Sequence, residues 1–118
     1  MIDHDIAAGL AALMLRFGRI RTEEFPPALF GEPAWGYLLE LFVADAHGVS
    51  MTGRQIGERL RISDNVASRW LMHLTAERLI IGDGSGDVDD ELTLSGSAMA
   101  QMERFLQKVG NINFDRFI

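Results

Sequence analysis

Apolar residues recur at helical spacing along five stretches of the chain and form short strand-like runs in only two places. Ile6, Leu10, Leu13, Met14 and Phe17 predict a first helix, for which Asp3 can serve as cap and which Pro26 and Pro27 stop. Pro33 suits the first turn of a second helix running to about Ala46, with Gly48 just past its end. Trp35, Leu38, Leu39, Leu41 and Phe42 make that helix apolar over much of its circumference, the mark of a central core element.

Ser50 or Thr52 caps a third helix, and Thr52 with Gln55 three residues later is a capping-box candidate. After a break at Ile62-Ser63, Ser63 caps a fourth helix from about Asp64 to Glu77. Leu79-Ile80-Ile81 and Glu91-Leu92-Thr93-Leu94 read as two short strands joined by a loop with three glycines. Ser95 caps a last helix with Ala98, Met99, Met102, Phe105, Leu106 and Val109 on one face, closed by Gly110. Four helices, a hairpin and a helix is the order of a winged helix-turn-helix, mainly α with a small β-hairpin wing. The expected organisation is one domain over 1–118: an N-terminal helix and connector (1–28), a winged-helix core (29–94), and a C-terminal helix with an apolar tail (95–118).

The stretch from Ile56 to Leu74 carries the functional expectation. Ile56 and Leu60 give the third helix an apolar face, and Gly57 is small enough to let the fourth helix cross close above it. Ala67, Leu71 and Leu74 face inward at i, i+4 and i+7. The opposite face presents Asp64, Asn65, Ser68 and Arg69, with Met72 and His73 a turn further on. Short polar groups and one arginine are what a helix in a major groove needs to meet base edges and phosphates. Arg69 is expected to contact a base or phosphate, against the plainer reading of an ion pair with Asp64 or a wing acid. Arg54 and Arg59 are candidate phosphate clamps. Trp70 reads as a partly buried packing residue at the helix–helix seam, not a stacking platform.

This segment resembles the helix-turn-helix of MarR-like winged-helix regulators, whose pattern is held here by Ile56-Gly57, Ile62-Ser63, Ser68-Arg69, Leu71, Leu74 and Leu79-Ile80. It is more similar still to a subgroup from sphingomonad-type bacteria that shares an "LFGEPAW..LL.LF" helix, here Leu29 to Phe42, and an Arg-Trp pair, here Arg69-Trp70. The likeness covers about Leu29 to Leu106 and implies DNA contact by the fourth helix. Two departures stand out. Arg61 and Arg78 occupy places where such families usually have glycine. The family wing carries arginines, whereas this chain has Gly82-Asp83-Gly84-Ser85-Gly86-Asp87-Val88-Asp89-Asp90-Glu91.

Charge sharpens that contrast. The net charge of -6 argues against nonspecific nucleic-acid binding, which depends on phosphate neutralisation. Residues 51–81, however, hold five arginines against three acids, and residues 82–94 hold five acids and no base. The wing is expected to limit DNA binding, its glycines letting the tip bend away from the duplex.

Other chemistries find little support. There is no cysteine, and the three histidines (His4, His47, His73) have no ligand-like spacing, so no metal or cofactor is expected. Asp83, Ser85, Asp87 and Asp89 alternate as in a calcium loop, but Val88 stands at the glycine position and Leu94 at the glutamate position. Glycines 82, 84 and 86 lie between two strands and lack the third glycine of a dinucleotide fingerprint. No nucleophile elbow or focused carboxylate pair points to an enzyme. No apolar run reaches the ~20 residues of a membrane span, and Asp3 and Asp5 stand where a secretory signal would be positive.

The expected partners are double-stranded DNA and a second copy of the chain, in the cytoplasm. The amphipathic first helix and the tail residues Ile112, Phe114, Phe117 and Ile118 are the expected dimer surface. A small-molecule effector stays open, since no residue announces its pocket. The rival expectation is a winged-helix protein-interaction module whose acidic wing has removed most DNA affinity.

Overall fold

The computed structural model describes residues 4–25 and 33–110. In chain order these form α1 (His4–Glu24), α2 (Ala34–Ala46), β1 (Met51–Thr52), α3 (Gly53–Leu60), α4 (Asp64–Ala76), β2 (Ile80–Ile81), β3 (Glu91–Leu94) and α5 (Gly96–Gly110). The architecture is mainly helical with a small antiparallel sheet, a winged-helix arrangement. Asp3 and the tail from Ile112 lie outside the described residues.

The hairpin expected from the sequence is two strands of a three-stranded sheet in the order β1-β3-β2. Ile80 pairs with Leu94 and Ile81 with Thr93, while Met51 pairs with Leu92 and Thr52 with Glu91 on the other edge of β3. Leu92 and Leu94 alternate inward, so the sheet buries one face on the helices and leaves the other to solvent.

The core gathers around α2. Ala34, Tyr37, Leu38 and Leu41 are buried there and pack with Ile56 of α3, Leu71 and Leu74 of α4, the strand residues Ile80 and Leu94, and Ala98, Met102 and Phe105 of α5. Trp35 joins this core to Phe25, just past the end of α1, and to Phe105 of α5 through edge-on contacts at ring separations of 5.4 and 5.0 Å. On α1 the expected apolar face divides. Leu13 is buried and Phe17 half-buried, whereas Met14 is 71% exposed beside an equally open Leu15.

Helix ends follow local chemistry. Thr52 and Gln55 close the reciprocal capping box, with Gln55 N–H donating to Thr52 Oγ1 (3.2 Å) and Thr52 N–H to Gln55 Oε1 (2.9 Å). Ser63 Oγ accepts from the Val66 N–H, and Ser95 Oγ from the Ala98 N–H. At the other ends, α2, α3 and α4 share one stop: a left-handed residue followed by an N–H bonded back to the helix, Val49 to Ala44, Ile62 to Gly57 and Leu79 to Leu74. The left-handed residue is Gly48 in the first case, but Arg61 (φ 59°) and Arg78 (φ 60°) in the others. Glycine adopts that backbone without the Cβ clash, whereas arginine carries it at a cost.

Candidate nucleic-acid interface

The geometry of the helix-turn-helix begins at Tyr37. Its hydroxyl donates to the Gly53 carbonyl at 2.9 Å, fixing the start of α3 against α2. Burial, and then the negative charge of Asp64, push the phenol up to about 12, so it remains a donor at any ordinary pH. One turn along α3, a side chain at Gly57 would meet Tyr37 Oη at 3.2 Å and Ala67 Cβ at 3.5 Å. Glycine at 57 and alanine at 67 thus allow α4 to cross close over α3, which sets the direction in which α4 presents its outer face.

Ser63 starts α4 at its new angle, and Ala67, Leu71 and Leu74 fill the inner face with 1%, 2% and 0% exposure. On the outer face Asp64, Asn65, Arg69 and Met72 are exposed, while Ser68 and His73 are half-buried. Trp70 is partly buried against the core and meets His73 edge-on at 5.7 Å. Five of the seven site residues expected from the sequence (Asp64, Asn65, Ser68, Arg69 and His73) are therefore carried by one helix. Arg69 forms no ion pair among the described residues. The pairing of Asp64 expected under the plainer reading goes elsewhere.

That partner is Arg54. Its Nε lies 3.3 Å from Asp64 Oδ2 and its Nη1 bonds Asp89 of the wing, so one guanidinium bridges α4 and the wing. Its backbone N–H donates to the Val88 carbonyl at 2.8 Å. Arg59 is likewise engaged, with Nε 3.1 Å from Glu40 of α2. Both expected phosphate clamps thus hold carboxylates in this arrangement.

The wing tip is not bent away. Gly86, at φ +74°, rests directly on α4: a Cβ there would lie 2.6 Å from Ser68 Oγ, 2.7 Å from the Ser68 carbonyl and 2.8 Å from Met72 Cγ. The glycines therefore provide close approach instead of escape. Around this contact the loop stays ordered by its own acids, Asp83 accepting from the Ser85 N–H (2.8 Å) and Asp87 from the Asp89 N–H (2.9 Å). The Asp90 carboxyl is raised, first by the charge of Asp87, then by lost solvation and by Asp83 and Asp89. Among the described residues no group of three or more histidines and carboxylates is disposed to hold a metal.

No family model matches the chain, and no curated protein is significantly similar to it.

The residues of this face speak for themselves. Tyr37, Arg54's double engagement and the seat of Gly86 were not anticipated from the sequence. For Tyr37 a signal existed: a lone tyrosine inside the most apolar helix needs a partner for its hydroxyl.

Proposed function

We propose that this chain is a DNA-binding transcriptional regulator of the MarR-like kind, and not an enzyme, whose α4 lies in the major groove. The observation that carries the reading is the outer face of α4, where Asn65 and Arg69 are exposed and Arg69 has no ion-pair partner among the described residues. Arginine and asparagine pair bidentately with guanine and adenine edges, so this face holds groups suited to reading sequence. Arg61 and Arg78, exposed at the two ends of the helix, supply positive charge for flanking phosphates.

The regulator acts as a homodimer in the cytoplasm. Support for dimerisation comes from α1, where Met14 and Leu15 are 71% and 65% exposed next to an apolar hollow of about 370 Å³ bordered by Phe17, Leu39 and Val109. For the cytoplasm the support is that the chain contains no cysteine and that no helix among the described residues is long and apolar enough to cross a membrane. Two copies of α4 one helical turn apart would address half-sites ~34–36 Å from centre to centre. A second reading, a protein-docking module, is favoured by one observation: Asp89 of the acidic wing occupies Arg54.

Selection from a random duplex library at low salt tests the proposal. Enrichment of a sequence with two half-sites in that spacing is expected. Recovery of no enriched sequence would overturn it in favour of the docking module.

A further inference from the structure

The wing is held across the helix that the preceding reading assigns to DNA, and three contacts hold it. Asp89 takes one arm of the Arg54 guanidinium, whose Nε is on Asp64. The Arg54 N–H donates to the Val88 carbonyl. Gly86 sits on Ser68 and Met72 with no room for a side chain. Ser68 lies on the outer face of α4, and Arg54 is bonded to Asp64 in its first turn. The segment therefore covers one group able to read a base and neutralises one able to meet a phosphate. Its carboxylates stand to Arg54 as phosphate oxygens would: both are planar or tetrahedral oxyanions that take the guanidinium N–H groups as charge-assisted hydrogen bonds.

We propose that the segment from Asp83 to Asp90 is a built-in competitor of DNA, a strap that must lift from α4 before Arg54 and Ser68 can meet the duplex. The inference rests on α4 being the DNA-reading helix. A charged wing that acted only by distance would repel phosphates equally from Asp83, Asp87, Asp89 and Asp90. A strap acts through Asp89 and Gly86. Asp83 belongs to the same acidic loop but binds only its own turn at Ser85 among the described residues, so it separates the two possibilities.

Every DNA complex has the strap lifted, so Arg54 meets a phosphate oxygen in wild type and variants alike, and the salt slope, ~0.9 for each phosphate neutralised, is the same in all of them. If the strap is down in about nine molecules of ten, apparent affinity is reduced roughly tenfold from that of the open form.

The test uses the whole chain and the duplex enriched from the random library, with selection repeated on each variant. Gly86→Ala changes no charge, yet its Cβ cannot fit against Ser68, and alanine disfavours the left-handed backbone. Asp89→Asn removes the Arg54 partner without touching the backbone. Each is expected to tighten binding roughly tenfold with the salt slope unchanged. Asp83→Asn is expected to change affinity less than about twofold with no change of slope. Hydrogen exchange at the Arg54 amide reads the strap without DNA: slow in the wild type and Asp83→Asn, faster in Gly86→Ala. Equal tightening by Asp89→Asn and Asp83→Asn, with Gly86→Ala unchanged, would reduce the wing to a diffuse charge and overturn the strap. Unchanged affinity in Gly86→Ala and Asp89→Asn, with the wild type binding, would overturn the strap alone. Failure of every variant to enrich any duplex would overturn the DNA reading and the competition with it, and would leave the exchange result as a description of the wing only.

Discussion

Two clusters of opposite charge tie this molecule together, and they behave as opposites. At one end Glu24 of α1 accepts from Arg104 Nε (3.0 Å) and Lys108 Nζ (2.9 Å) of α5, while its carbonyl accepts from Gln101 (3.0 Å). The Glu24 side chain is only 10% exposed, and the two cations hold its carboxyl below the ordinary glutamate range. At the other end Arg54 joins Asp64 and Asp89, whose side chains are 59% and 65% exposed. The ingredients are the same, and the cations are similarly open in both, but the first carboxylate is largely shielded while both carboxylates of the second lie open to water. A shielded carboxylate fastens two helices. An open one offers a contact that another oxyanion can replace.

Backbone strain follows the same division. Among the described residues both non-glycine residues in the left-handed region, Arg61 and Arg78, end α3 and α4. None lies in the described part of α1 or α5. The half of the molecule that holds the proposed interface therefore gives up stability that the other half keeps.

The sharpest way to break this comparison is to remove a carboxylate from each cluster. Glu24→Gln is expected to cost about 1 kcal/mol at neutral pH, a value already reduced for the solvent reaching Arg104 and Lys108. The folded-state pKa of Glu24 is depressed, so its contribution is complete above the ordinary value near 4.5 and is lost as pH falls through the folded value. Urea titrations of wild type and Glu24→Gln should therefore differ at pH 7 and converge in acid. Asp89→Asn should leave the urea midpoint unchanged at pH 7. A cost at Asp89 equal to that at Glu24 would erase the distinction between the clusters.

A smaller effect sharpens the strain argument. Arg61→Gly and Arg78→Gly should each stabilise the fold by about 0.5–1 kcal/mol, because glycine adopts the left-handed stop without the Cβ clash. Thermal melting checks this, with a rise of roughly 4 °C expected per kcal/mol. If DNA affinity falls as stability rises, the two arginines hold their strained positions for phosphate contact.

Local chemistry was legible in the sequence, and contacts between distant segments were not. The Thr52–Gln55 box, the Ser63 and Ser95 caps and the Gly48 stop each involve a few consecutive residues, so the pattern shows them. Arg61 and Arg78 were singled out in the sequence, but their left-handed backbone shows only in the structure. β1 was missed because two residues carry no periodicity: Met51 and Thr52 become a strand only by meeting Leu92 and Glu91 some forty positions on. The wing was misjudged for the same reason. Three glycines say that a loop can bend, and only the packing of Gly86 on Ser68 says which way. Arg54 was picked out as a cation, but its engagement with Asp89 depends on where the wing comes to rest.

Whether α4 reads DNA is tested most directly by Arg69→Ala. Arg69 is exposed and outside every ion pair of the described residues, so its removal disturbs no packing or salt bridge seen here. Affinity for the selected duplex should fall by ~1–3 kcal/mol, with preference flattened at one position of each half-site and the fold intact by circular dichroism. An affinity unchanged on that duplex would contradict the account, because a helix lying in the major groove cannot lose its exposed arginine without consequence.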